Sequence, residues 1–211
     1  MQDIQAELEK AQSARQSRIP IVPGRPVAWG IAVAHEALQW RLVSIADSCA
    51  TALRQGEWIA ACILARSAME TVAAIYMVDA EADAYIQGRD YSDVKARVKR
   101  LWLGRKDKPE DQPINVLTCI QKMAKQHTQA IEDTFAHLCE IAHPNYFGTH
   151  GFFGRQAGED QYEFNDHGRD ESGYYQGIAE GGLSAALAFG NLYRDGMAAT
   201  VVAQLRQPCQ M

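Results

Sequence analysis

The sequence predicts an all-α fold: an antiparallel bundle of about five to six helices, with a small β-hairpin or long aromatic loop inserted at about 145–173. Apolar residues recur at spacings of three and four along several long segments, which is the period of one helix face. Proline and glycine interrupt the chain between those segments. The 211 residues are 47% hydrophobic and 22% charged, so the chain has a globular composition and can bury a core.

The N-terminal region differs from the rest of the chain in polarity. Residues 3–17 are mostly polar and can form a helical arm, and the segment 20–26, PIVPGRP, then breaks it with three prolines and a glycine. We therefore divide the chain into an N-terminal helical arm with a Pro-rich linker, 1–26, and a helical-bundle domain, 27–211.

The first two bundle helices are predicted to form a tight antiparallel hairpin, since the first ends at Gly56 and the second follows at once. The first helix has an apolar stripe on which His35 also lies, as a core histidine. The stripe consists of Ile31, Leu38, Leu42, Ile45, Cys49 and Ala52. The second helix, 58–78, is apolar nearly all round and should lie at the centre of the bundle. Its charged residues Arg66 and Glu70 would be costly inside a bilayer, so we expect no membrane span.

The remaining helices are predicted at 94–105, 114–126, 128–143 and 174–206. Before the last of them, the segments GFFGR and QYEFN are able to pair as a β-hairpin. The last helix contains five glycines, which suggests a break or a close approach to another helix, because glycine otherwise weakens helices. We expect a homodimer through its small-residue face, around Gly182, Ala186 and Gly190.

The charge balance disfavours nucleic acid and anionic membranes as partners. The net charge is -5 at pH 7 and the pI is near 5.7. One basic segment could still bind nucleic acid, although a solvated helix face explains it as well. Its residues are Lys95, Arg97, Lys99, Arg100, Arg105, Lys106 and Lys108.

The cysteines favour a reducing compartment. There are five, an odd number, widely spaced and without a C-x-x-C pair, and four of them fall in apolar helical segments. The first residues also lack an apolar signal segment. We therefore expect reduced core thiols in a cytoplasmic protein.

The most unusual segment is 138–150, LCEIAHPNYFGTH, a polar corner at the end of a helix. Glu140 and His143 have the E-x-x-H spacing that supplies metal ligands in di-iron bundles. A complete di-iron site needs a second such pair, which the sequence lacks, and we predict no metal and no cofactor. In addition, Glu140 should project opposite the apolar stripe of its helix. That stripe consists of Ile131, Phe135 and Leu138.

Two charged residues of the central helix, Arg66 and Glu70, need partners if they are buried. The simpler interpretation is a mutual i, i+4 ion pair. Alternatively, Arg66 reaches Glu140 or the loop after Pro144. A buried polar network would then consist of Arg66, Glu70, Glu140, His143 and Asn145. Replacing Glu140 or His143 by alanine should then lower the melting temperature.

The same corner has a second interpretation, as a pocket with acid–base or metal-binding groups. His143, Asn145, His150 and His167 could line it. No serine or cysteine has a dedicated catalytic partner by spacing, which leaves a nucleophile unassigned.

The two motifs together resemble a group of bacterial helical proteins of unknown function, which carry R-x-x-x-E and later L-S-E-x-x-H-P-N-x-x-G. Here the first runs from Arg66 to Glu70 and the second from Leu138 to Gly148, with Cys139 in place of the usual serine. These proteins are similar to HEPN helical bundles, some of which are RNA-cleaving toxins or defence factors and others non-catalytic binding modules. RNA-cleaving members have an arginine four to six residues before a histidine, and no histidine here has one. The resemblance implies a bundle and weakens a ribonuclease assignment.

Three functions therefore follow from the sequence. The favoured one is a non-enzymatic binding or regulatory module with a structural polar network. The second is a hydrolytic or metal-assisted enzyme with a pocket at Glu140 and His143. The third is a HEPN-like protein related to toxin or defence systems, which binds nucleic acid through the basic segment.

Overall fold

The computed structural model describes residues 1–19, 21, 24, 26–102, 104, 105, 107–165 and 173–197. These residues form eight α-helices, a 3-10 turn and one antiparallel β-hairpin, which confirms the predicted all-α fold with a small hairpin insertion. The helices are α1 (Gln2–Ser13), α2 (Pro26–Gln55), α3 (Trp58–Ile86), α4 (Tyr91–Trp102), α5 (Val116–Gln126), α6 (Ala130–Ala142), α7 (His150–Phe153) and α8 (Tyr174–Met197). The strands are β1 (Gly154–Gln156) and β2 (Tyr162–Phe164), with Arg155 opposite Glu163.

The predicted tight hairpin of α2 and α3 is confirmed. Gly56 follows the last residue of α2 with a φ of 76°, a conformation that glycine adopts without strain. The N–H of Glu57 donates to the carbonyl of Ala52 at 2.9 Å, which satisfies a carbonyl at the end of the helix. Since α3 begins at the next residue, the two helices pack side by side.

Helix α3 lies at the centre of the bundle and contacts α2, α4, α5, α6 and α8. Small side chains form much of its buried surface: Ala61, Cys62, Ala65, Ala68 and Ala73. Of the described helices, α3 alone is long and apolar enough to span a membrane, and half of its most apolar window is buried within the protein. Neighbours on several sides account for this apolar character.

The small-residue face of α8 packs inside the chain, so the prediction of a dimer through this face is wrong. A Cβ on Gly182 would lie 2.8 Å from Leu138 Cδ1, and one on Gly190 would collide with Leu42 Cδ2. Ala186 is fully buried. The glycines therefore let α8 approach α6 and α2 closely, and a homodimer remains a prediction that needs another surface.

Helix α1 packs against α2 and α8 instead of extending from the bundle as an arm. Its apolar residues Ile4, Leu8 and Ala11 belong to the main core. On the polar side, the Asn191 amide donates to the Glu7 carboxylate at 2.6 Å, and Lys10 pairs with Asp195 at 3.1 Å. Most of the predicted linker, 20–26, lies outside the described residues.

A buried polar cluster joins α1, α2 and α8. Arg194 pairs with Glu36 at 3.4 Å and donates to the carbonyl of Ala14. His35 beside them is 3% exposed, as expected of a core histidine. Burial and the charge of Arg194 lower the pKa of His35 to about 3, so its imidazole is neutral in the folded protein at neutral pH.

We predict that protonation of His35 destabilises the protein as the pH falls. The pKa of His35 is about 3 in the fold and 6.5 in an unfolded chain, so between these values the unfolded chain binds one more proton. The stability that neutral His35 contributes is complete above pH 6.5 and is lost toward pH 3, by about 1.4 kcal/mol per pH unit. Urea unfolding at pH 7, 6, 5 and 4 should show a steeper decline for the native sequence than for His35→Gln. Parallel declines would contradict this assignment.

Replacing a glycine of α8 by alanine should have opposite effects at a tightly packed position and at an open one. Gly190→Ala forces a methyl group against the buried Leu42 and should lower the free energy of unfolding by about 1 to 3 kcal/mol. Gly181→Ala is the matched control, since a Cβ there has no atom within 4 Å. It should raise the free energy of unfolding by up to about 1 kcal/mol through helix propensity. Equal stability of the two variants, in denaturant unfolding, is the outcome that excludes this packing.

Candidate functional site

A groove of about 480 Å³ lies between α5 and α6, beside α3, and we call it the α5–α6 groove. Its lining residues are Arg66, Asn115, Val116, Leu117, Ile120, Gln121, Glu132, Phe135, Ala136, Cys139, Glu140 and His143. This volume is within the range of about 300 to 1,000 Å³ that small-molecule sites occupy. The groove therefore has the size and the mixed lining of a binding site.

The amphipathic character of α5 explains why one wall of the groove is partly apolar. The side-chain oxygen of Asn115 caps this helix by accepting the N–H of Leu117 at 2.9 Å. Ile120 and Met123 of the same helix are buried in the core. Leu117, one turn before Ile120, is 49% exposed at the groove.

Arg66 reaches the groove from α3 with partners on two helices. Its Nη2 pairs with Glu70 Oε1 at 2.9 Å, and its Nε donates to Cys139 Sγ of α6 at 3.2 Å. The guanidinium carbon is also 5.8 Å from the centre of the Phe135 ring, within the range of a cation–π interaction. The predicted i, i+4 pair is thus present, and Arg66 bonds the thiol of Cys139 instead of the predicted carboxylate of Glu140.

Glu140 has a different partner. The amide of Asn145 donates to Glu140 Oε2 at 2.7 Å, and both Glu140 and His143 are exposed. The outward projection predicted for Glu140 is correct. The expectation of one buried network is wrong, because the residues form two separate pairs around an open groove, Arg66 with Glu70 and Glu140 with Asn145.

The turn after α6 explains most of the polar residues in LCEIAHPNYFG. His143 has an extended backbone, as the following Pro144 requires, and ends the helix. The carboxamide oxygen of Asn145 then accepts the N–H of Gly148 at 3.2 Å. A Cβ on Gly148 would collide with the carbonyl oxygens of His143 and Ile141, so only glycine fits this turn. The motif therefore encodes a helix stop with a fixed return of the chain.

His150, the other predicted histidine among the described residues, does not line the groove. His150 lies on α7, with its ring 5.7 Å from that of Tyr162 and 6.2 Å from that of Phe164 at the hairpin. These segments confirm the predicted hairpin, although GFF forms a helical turn before β1. His167 lies outside the described residues. Within the described part of the chain, no three His, Cys, Asp or Glu residues are placed to share a metal ion.

The basic segment has acidic partners within the chain. Arg97 pairs with Glu81 at 3.2 Å, and Lys99 pairs with the buried Asp111 at 2.8 Å. Arg105 bonds Asp107 at 2.6 Å, which raises the pKa of Arg105 and lowers that of Asp107. These pairs reduce the positive charge available to a phosphate backbone.

Nine of the twelve groove residues are not among the predicted site residues, including Leu117, Glu132 and Cys139. Glu132 and Glu140 are two turns apart on α6 with Ala136 midway, a spacing that could have shown that they share a side. No sequence pattern indicates that Leu117 is exposed, because its exposure depends on how α5 packs against α6. The sequence predicts Cys139 to be a core thiol like Cys49, Cys62 and Cys119. In the structure those three are buried, and Cys139 is half-buried.

We predict that Glu140→Ala and His143→Ala change the free energy of unfolding by about 1 kcal/mol or less, because both side chains are exposed. This revises the larger loss expected of a buried network. Leu138→Ala is the matched comparison on the same helix: Leu138 is fully buried, and its truncation should cost about 2 to 5 kcal/mol. Denaturant unfolding distinguishes these outcomes, and a loss above about 2 kcal/mol in either exposed variant contradicts the prediction.

Comparisons with known proteins give no relative, so a function has to be inferred from the site. No family model, curated protein or solved structure matches this chain. The likeness to HEPN bundles stays a prediction from the two motifs.

Proposed function

We propose that this protein is a non-enzymatic binding or regulatory module of the cytoplasm and that the α5–α6 groove is its ligand site. The observation that carries the proposal is the groove itself. Its volume is about 480 Å³, and its lining contains an exposed leucine, a fixed guanidinium and two carboxylates. Such a mixture of apolar surface with a few oriented polar groups is typical of ligand sites.

The polar groups at the groove are better suited to holding a ligand than to reacting with one. Arg66 is fixed by Glu70 and Cys139, and Glu140 is fixed by Asn145. These contacts orient the side chains before a ligand arrives, which reduces the entropy lost on binding. The resemblance to HEPN bundles supports the same assignment, since some of those proteins are non-catalytic binding modules.

To test the proposal, small soluble amines, carboxylates and amides are added to ¹⁵N-labelled protein. Binding is measured from the changes in the backbone amide chemical shifts. We expect some of these compounds to shift the resonances of Leu117, Gln121 and Ala136. Ala136→Trp should abolish the shifts, because Ala136 is exposed and lines the groove, so that a large ring there blocks it.

Ala130→Trp is the matched control, since Ala130 is exposed on the same helix and does not line the groove. Binding to this variant should equal binding to the native protein. If no compound shifts the groove resonances, or if Ala136→Trp leaves the shifts unchanged, the groove is not a binding site.

A further inference from the structure

The α5–α6 groove has a negative charge that its own contacts leave unbalanced. Glu132 accepts from the amides of Gln121 at 3.3 Å and Gln129 at 3.2 Å, and Glu140 accepts from the amide of Asn145. All three partners are neutral, and neither carboxylate has an ion-pair partner among the described residues. The groove therefore presents two carboxylates available to cations.

The positive charge at the groove does not offset them. Arg66 is engaged by Glu70 at 2.9 Å, so this pair is close to neutral as a unit. A ligand entering the groove consequently meets two net negative charges. Charge complementarity favours a cationic ligand over an anionic one.

The positions of the carboxylates define the length of that ligand. Glu132 and Glu140 are eight residues apart on α6, which is about 12 Å along a helix at about 1.5 Å per residue. Between them the wall is Ala136, whose short side chain leaves room for close approach. Across the groove, Leu117 is 49% exposed and offers an apolar contact.

A helix of a partner protein matches this pattern. Basic residues seven or eight positions apart are two turns apart on one helix face, about 10 to 12 Å. An apolar residue midway between them would lie against Leu117 and Ala136, in the helix-in-groove mode of peptide recognition. A small monovalent cation would satisfy only one of the two carboxylates.

We propose that the α5–α6 groove binds an amphipathic helix of a partner protein, with Lys or Arg residues two turns apart and an apolar residue between them. This inference rests on the proposed function, because it names the ligand class of the same groove. Glu132 and Glu140 bind the two cations, and Leu117 contacts the apolar residue.

The test uses a fluorescent 16-residue helical peptide with lysines at positions i and i+8 and leucine at i+4. Anisotropy at low ionic strength should show binding that weakens as salt is added, since the charges are exposed. The double variant Glu132→Gln, Glu140→Gln should bind about tenfold more weakly. Asp133→Asn, an exposed carboxylate of α6 that does not line the groove, should bind as the native protein does.

A second peptide, with one lysine moved from i+8 to i+6 on the opposite face, should lose most of the affinity. Equal binding of both peptides, or equal binding to the double variant, overturns the inference. If small molecules occupy the groove in the shift experiment while the peptide results fail, the groove remains a binding site and only the ligand class is wrong. If both experiments fail, the proposed function is wrong as well as the ligand class.

Discussion

The close packing of α3 against its neighbours is the constraint on which the rest of the structure depends. Small side chains such as Ala61, Ala65 and Ala68 are fully buried on α3, and Gly182 of α8 lies against Leu138 and Met69. Helices that meet through such residues come close together, and few side chains are able to substitute. Fixing α3, α6 and α8 in this way positions Arg66 beside Cys139, and with it one side of the groove.

The segment with the most catalytic appearance has a structural explanation for much of its chemistry. Pro144 ends α6, Asn145 bonds both Glu140 and the N–H of Gly148, and Gly148 lies against main-chain carbonyls. These contacts fix where Glu140 and His143 project. A motif of polar residues can thus contribute to a binding site indirectly, by determining the geometry of a helix end.

Local features of the fold were predictable because they depend on neighbours in sequence. Gly56 requires a positive φ, His35 falls on an apolar stripe, and the helical period places Glu140 on the outer side of α6. Features that depend on the spacing between helices were not predictable. The small face of α8 was correctly identified as a close contact, but periodicity does not distinguish contact with Leu42 of the same chain from contact with a second copy. The groove between α5 and α6 was not predictable for the same reason.

The docking of α1 on α8 joins two segments that lie far apart in the sequence. Lys10 and Asp195 are 185 residues apart, and Asn191 bonds Glu7 across a similar separation. Because α1 is synthesised long before α8, its buried residues Ile4 and Leu8 are covered only in part, by α2, until α8 is present. Contacts between residues so far apart in the sequence carry a large loop-closure entropy, and we therefore expect α1 and α8 to dock late in folding.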